Sequence, residues 1–557
     1  MTAPSNSDSA GPDGIKTLRP WWRDSVIYQL YVRSFADSDA DGIGDLDGVT
    51  EHLDHIADLG VDGIWLNPCY PSPNRDGGYD VADYTQIDGR YGGMPAFQRL
   101  LAATHERGLK LLMDLVPNHC SDAHPWFQQA LTAAPGSPTR DRFIFRDGRG
   151  PDGAEPPNNW RSTFGGPAWT RVRTATGAPG QWYLHSFDSS QPDFNWDNAE
   201  VADMFDDVLH TWFGRGIDGF RIDVAYAMVK HQGLPDLADP DGGNPYLWNQ
   251  PGVHEIFKRW RAIADSYQRE LTLLGEVWLS PAEAADYIAA GELNQVFYFD
   301  LLQQPFEAGA FRLSIDESVA GLKHAEGAPT WTLNSHDVHR SVSRYGLVEP
   351  EPMTSPDANA HRTRARGRVD VALGIDRAKA AALLVLALPG SVYLYQGEEL
   401  GLPEVQDLPD EARCDPIWFR SQQTEHGRDG SRVPLPWTGA GPSFGFSADG
   451  AKSPPWLPQP DWFADFAAEC QRQDAGSVLA FYQQALLARR GIEAAAELEW
   501  VETGRDDVLA FRRGALTCLT VFDGADYLPP PSWGAPVCRS RPGTGALPAA
   551  TTVWLLA

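Results

Sequence analysis

Arg221 and Asp223 stand two residues apart in GFRIDVA, residues 219 to 225, inside a run that is otherwise apolar. Residues two apart in an extended strand point to one face. The pair would look into one side of a sheet while Phe220, Ile222 and Val224 look into the other, as in a strand covered on both faces. Alone, it reads either as a buried salt bridge or as a reactive carboxylate with a cation beside it. Two further acids follow mostly apolar runs in the same way, Glu276 in LLGEVW and Asp337 in WTLNSHD. Three carboxylates meeting at one place repel one another, so at least one pKa rises and that group becomes a proton donor near neutral pH. An ionised nucleophile beside a protonated acid is what retaining glycoside hydrolysis needs, and Arg221 is expected to keep Asp223 ionised.

The elements that must position these acids recur along the chain. From about Trp21 onward, short β-branched or aromatic runs alternate with helical patterns, which marks repeated βα units. Eight runs read as strands: 26–35, 63–68, 110–119, 219–225, 271–278, 295–301, 329–337 and 390–400. They predict an α/β fold, a closed (β/α)8 TIM barrel, whose chemistry sits at the C-terminal strand ends, where the three acids fall. The barrel is expected to take residues 19–119 and 195–490. Two intervals are too long for simple βα loops. Residues 120–194, rich in Pro, Gly, Asn and Trp, predict a subdomain inserted after strand three, with FIFRDG and QWYLH as short strands. Residues 401–460 predict a long excursion after strand eight, 495–557 a small C-terminal all-β domain, and the polar 1–18 a disordered tail.

Composition narrows the function classes. The 557 residues are 42% hydrophobic and 22% charged, which suits a globular chain with more than one core. A formal net charge of −29 without a basic patch excludes nucleic acid as a partner. Six cysteines without a C-x-x-C pair exclude a zinc motif and suit free thiols in a reducing cytosol. The N-terminus lacks a signal pattern, and the longest apolar run, Ala380 to Leu388, is too short for a membrane span. A cytoplasmic protein with no membrane partner is expected. The many aromatics, 20 Trp, 17 Tyr and 24 Phe, suit sugar stacking as well as core.

Taken in order, DLVPNH (114–119), GFRID (219–223), GEVW (275–278) and HD (336–337) resemble the motifs of the α-amylase superfamily, glycoside hydrolase family 13. QPDFN (191–195) resembles the QPDLN signature of its oligo-1,6-glucosidase and α-glucosidase branch, and segments 387–405, 415–418 and 427–437 look like actinobacterial α-glucosidases. The resemblance implies Asp223 as nucleophile, Glu276 as general acid/base and Asp337 as transition-state stabiliser, with Arg221 orienting the nucleophile. It implies His119 and His336 as hydrogen-bond partners of the sugar ring, and Asp76 and Tyr79 as the pair at its non-reducing end. Phe164 resembles an aromatic wall of the pocket, and Arg432 the arginine that pairs with the terminal glucose. DSDADGIGD, residues 37 to 45, spaces oxygens at alternate positions. Its resemblance implies a structural Ca2+ held by Asp37, Asp39, Asp41, Asp45 and the Ile43 carbonyl, with no organic cofactor.

The implied activity is a retaining exo-α-glucosidase acting on a small oligosaccharide or α-glucoside, as a monomer or homodimer. Alternatives are an α-glucosyltransferase or a sucrose/maltose isomerase using the same intermediate, and, outside catalysis, a sugar-binding barrel. Ser335 stands where the family usually has Asn, Cys120 where it has Thr and Phe194 where it has Leu. None removes a carboxylate. Val224, after the nucleophile position, resembles members that cleave α-1,6 bonds.

Overall fold

A computed structural model of the chain describes residues 19–173, 177–240, 242–321, 325–351, 363–492 and 497–557. The expected tail, 1–18, lies outside the described residues. Eight parallel strands close into a barrel in simple sequential order: Val26–Leu30, Gly63–Leu66, Lys110–Leu115, Gly219–Ile222, Thr272–Gly275, Gln295–Phe297, Ala328–Thr332 and Ser391–Tyr395. Each strand is shorter than its apolar run in the sequence. The surplus residues form the loops at the barrel mouth, as where Val32–Ser34 and Phe299–Leu302 turn helical directly after a strand. Asp223 and Glu276 come immediately after their strands, but Asp337 lies beyond its strand's end at Thr332, on a loop. The three acids are therefore not at equivalent strand ends, as their common placement after apolar runs suggested.

Alternation along the strands builds the barrel in layers. Tyr28, Ile64, Met113, Phe220, Ile222, Leu273, Val296 and Leu394 face outward into the core shared with the surrounding helices. Ile27, Trp65, Leu112, Leu274, Phe297 and Tyr393 face inward and pack on one another. Above this apolar plug the inward positions become polar, with Gln29, Asp114, Arg221 and Glu276 all buried. Such a layered interior is a packed core and not a pore. The helix before the fourth strand, Ala199–Arg215, starts on an Asn198 cap and stops at left-handed Gly216, and it buries Phe205, Leu209 and Trp212 against the barrel.

Between the third and fourth barrel strands, Phe145–Arg146, Trp169–Arg173 and Pro179–Leu184 form a three-stranded antiparallel sheet. The second of these lay outside the two short strands expected. A five-stranded antiparallel sheet, Glu499–Val501, Val508–Arg513, Leu516–Val521, Ala535–Arg539 and Thr551–Leu556, ends the chain as the expected all-β domain. The apolar run near Leu383 belongs to helix Val371–Ala387, which lies against the terminal sheet: Thr552 Oγ1 and Trp554 Nε1 donate to Ala380 O (2.8 Å) and Leu383 O (3.0 Å). No described helix is long and apolar enough to cross a membrane.

Gly219 opens the fourth strand opposite Thr272, and a Cβ there would lie 2.3 Å from the Thr272 carbonyl oxygen. Only glycine allows that close approach. Gly219→Ala is expected to cost about 1–3 kcal/mol by overpacking, read as a lower urea midpoint with an unchanged slope.

Candidate active site

The strand register sets the central contact. Asp114 on the third strand pairs with Arg221 on the fourth, and Arg221 with Leu274 on the fifth. Arg221 Nη1 lies 2.9 Å from Asp114 Oδ1 and 2.8 Å from Asp223 Oδ1, while Nη2 lies 2.6 Å from Glu276 Oε2. The guanidinium sits over the Trp65 ring, 5.0 Å from its centroid, and Trp65 Nε1 donates to Asp114 Oδ2 at 3.1 Å. One buried cation thus serves three buried carboxylates.

Arg221 pulls the Asp223 pKa down, as its place beside the carboxylate implies, but it does so while shared with Asp114 and Glu276. Burial raises the Asp223 pKa well above the carboxylate range; Arg221 opposes it, but Glu276 and Asp114 add to the rise. Burial likewise pushes Asp114 up to about 7, against the pull of Arg221. A single positive charge cannot balance three negative ones in a medium that solvates poorly, so the cluster retains a proton near neutral pH.

The turn after Asp223 aims a further donor. Val224 has φ 42°, a conformation rare for a β-branched residue, and its amide donates to Glu276 Oε2 at 3.0 Å. Glu276 Oε1 accepts from Trp278 Nε1 at 2.9 Å.

Asp337 has its own cations. Arg428 Nη1 and Arg432 Nη2 lie 3.0 and 3.1 Å from its Oδ1, and His336 Nε2 lies 3.1 Å from its Oδ2. Burial alone would raise Asp337; the His336 contact and the two arginine charges instead hold it well below the carboxylate range. Burial also drives His336 well below an ordinary imidazole, so the arginines supply the charge at neutral pH.

A cavity of about 430 Å3 opens onto these groups, lined by Asp76, Tyr79, His119, Phe164, Asp223, Glu276 and Asp337 among others. Arg221 and His336 stand behind that lining. Tyr79 stacks on His336 at 5.2 Å and donates to Asp114 Oδ2 at 3.1 Å. His119 is pushed down to about 4 by burial and is neutral near pH 7.

Arg432 does not face the cavity. Its Nε donates to the His336 carbonyl at 2.9 Å, and its side chain is buried behind Asp337. The arginine at the cavity wall is Arg428, whose Nη2 donates to Asp76 Oδ1 at 2.7 Å and whose Nε donates to Asp415 Oδ2 at 2.7 Å, with its guanidinium 5.0 Å from the Phe164 ring. Both arginines lie in GRDGSRVPLPW, and the one-turn helix Asp429–Ser431 between them decides which looks inward. Asp114 and Gln191 also sit in motifs already read, without a role assigned there. Gln191 Nε2 donates to Asp76 Oδ2 at 3.0 Å and lies 3.2 Å from His119 Nε2. Both are buried polar groups whose partners are distant in sequence.

Remote from the cavity, Asp37, Asp39 and Asp45 each offer an oxygen within 4.8 Å of the others. Asp41 is outside this group: its Oδ1 accepts from the Ile43 amide at 2.8 Å. Burial and its acidic neighbours raise Asp39, which is the repulsion a bound cation relieves.

A closed (β/α)8 barrel with buried carboxylates around a small cavity at its C-terminal mouth is the architecture of a glycoside hydrolase. The chain belongs to the α-amylase family: the family's catalytic-domain model matches residues 29–497. It is 34% identical over 505 residues to the probable oligo-1,6-glucosidase 3 of Bacillus subtilis (strain 168), covering 85% of this chain and 84% of that one. It is 36% identical over 519 residues to the probable alpha-glucosidase of Rhizobium meliloti (strain 1021), covering 89% and 87%. Among solved structures, the alpha-glucosyl transfer enzyme XgtA is similar at TM-score 0.82 and 35% identity, over 97% of this chain and all of that one. The trehalulose synthase MutB from Pseudomonas mesoacidophila MX-45 is similar at TM-score 0.82 and 28% identity, over 96% and 99%.

Arg221→Lys keeps the charge, but one ammonium cannot reach Asp114, Asp223 and Glu276 together. Arg221 lowers the Asp223 pKa, so weakening it raises that pKa further and delays ionisation. The acid limb of the kcat/KM profile is expected to move to higher pH and kcat to fall about 100-fold or more. A profile with an unmoved acid limb contradicts the shared-charge reading.

Proposed function

We propose that the chain is a retaining exo-acting α-glucosidase that releases glucose from the non-reducing end of short α-glucosides. The observation that carries this is the placement of Asp223 and Glu276 on one Arg221 fork, both lining a cavity whose wall also carries the Asp76–Arg428 pair. Carboxyls held on adjacent nitrogens of one guanidinium suit the closer spacing of retaining enzymes, and a cavity of about 430 Å3 suits a short substrate. Asp223 attacks the anomeric carbon and forms a β-glucosyl ester. Glu276 protonates the leaving oxygen and then takes a proton from the incoming water. Asp337, kept ionised by two arginines, stabilises positive charge developing at the ring. His119, neutral, donates or accepts a hydrogen bond without competing for the proton.

The same ester can be intercepted by a sugar in place of water. Phe187, Tyr226, Trp248 and Trp278 line the cavity and offer faces on which a sugar acceptor would stack, which favours transfer as a second reading. Product composition at high sugar concentration separates the two. The six free thiols support a reducing, cytoplasmic location.

Asp37, Asp39 and Asp45 form an oxygen-only donor set that fits Ca2+, which would brace the turn after the first strand and take no part in catalysis. Restoring Ca2+ to chelator-treated protein is expected to raise the thermal midpoint by a few degrees, with kcat unchanged, and the rise should vanish in Asp39→Ala. Equal midpoints with and without Ca2+ would remove the metal.

Asp223→Asn is expected to reduce glucose release from maltose, isomaltose and an aryl α-glucoside to background, while the parent's first product is the α-anomer. Turnover by the variant, or a β-anomer from the parent, overturns the assignment.

A further inference from the structure

Two stretches far apart in sequence line the cavity together: Thr163 to Gly166 of the inserted subdomain, and positions from Ile417 to Glu425 in the loop after the eighth strand. Arg420 joins them. Its Nε donates to Gly165 O at 2.8 Å, its Nη2 to Pro167 O at 3.2 Å, and its Nη1 to Asp188 Oδ2 at 3.4 Å. The fit is close, since a Cβ at Gly166 would lie 3.3 Å from Arg420 Nη2.

The turn that follows is strained. Gln422 and Gln423 have φ 56° and 66°, the left-handed region in which glycine is preferred. Strain of this kind persists only where the surroundings hold it, and it gathers at ligand clamps. Here the Gln423 amide donates to Trp418 O at 2.8 Å, the Glu425 amide to Ser421 Oγ at 3.0 Å, and the Glu425 carboxylate pairs with Arg364 at 3.2 Å. The turn thereby presents Ser421, Gln422, Thr424 and Glu425 to the cavity.

We propose that Arg420 is a specificity-determining clasp that locks the strained 421–425 turn to the inserted subdomain and limits the aglycone to one or two sugar units. The inference rests on the α-glucosidase reading and adds its substrate class, namely di- and trisaccharides. The cavity, about 430 Å3, lies toward the small end of ligand sites, and the clasp ties together two of the stretches that line it. A planar fork is required because two of its three acceptors are backbone carbonyls in different directions, which a point charge cannot serve together.

The test compares Arg420→Ala, Arg420→Lys and Asp188→Asn in the full chain, measuring glucose release from maltose, maltotriose and maltotetraose and from the matched α-1,6 series. The kcat/KM ratio of tetrasaccharide to disaccharide is expected to rise about tenfold in Arg420→Ala, carried by KM, and less in the other two. An unchanged ratio in all three variants overturns the clasp and leaves the α-glucosidase reading standing. An equal loss at every chain length, or a fall confined to kcat, also overturns it. A parent that releases glucose from none of these sugars overturns the α-glucosidase reading and the clasp with it.

Discussion

A single buried guanidinium shared by three buried carboxylates is the constraint on which the rest of this structure depends. Stripping a partner from a buried ion pair costs about 3–5 kcal/mol, because the remaining charge has no water to turn to. Arg221 therefore binds the third, fourth and fifth strands into one electrostatic unit. The parallel register that sets Asp114 beside Arg221 follows from the apolar layer beneath, where Leu112 and Leu274 pack with Trp65 and Phe297. The barrel's packing thus chooses the charges' positions, and the imbalance of those charges leaves a proton where acid/base chemistry can use it.

A second set of charges comes from loops, and it shapes the pocket. Arg428 touches Asp76, Asp337 and Asp415, so one side chain joins the first barrel half, the loop after the seventh strand and the excursion after the eighth. The barrel supplies the buried carboxylates, while these loop contacts build the cavity wall. The two tasks are separable because cores resist change and loops tolerate it.

Much of this was legible in the sequence. GFRIDVA placed Arg221 and Asp223 on one face by period two alone, and the order of the strand-like runs gave the barrel. Four things were not. Strand ends were overrun, because residues leading into the mouth loops are as apolar as the strands themselves. Arg428 and Arg432 share one motif, and only the one-turn helix between them, held by long-range contacts, points one at the cavity and the other behind it. The three-way sharing of Arg221 needed the register between strands more than 100 positions apart, as the Asp114 contact shows, and no local pattern carries that. An edge strand of the inserted sheet, Trp169–Arg173, was hidden for a related reason: its arginines and threonine lie on a partly exposed surface, so it lacks the apolar signature of a buried strand.

The central claim is that Asp223, poised by Arg221, becomes covalently bonded to the sugar while Glu276 handles the proton. It is tested most directly by incubating the protein with 5-fluoro-α-glucosyl fluoride, which slows breakdown of a glycosyl ester, and mapping the labelled peptide by mass spectrometry. The account predicts one fluoroglucosyl group on the peptide containing Asp223, formed by the parent and absent from Asp223→Asn. Label on another carboxylate, or turnover of the reagent with no covalent species at any time, would contradict it.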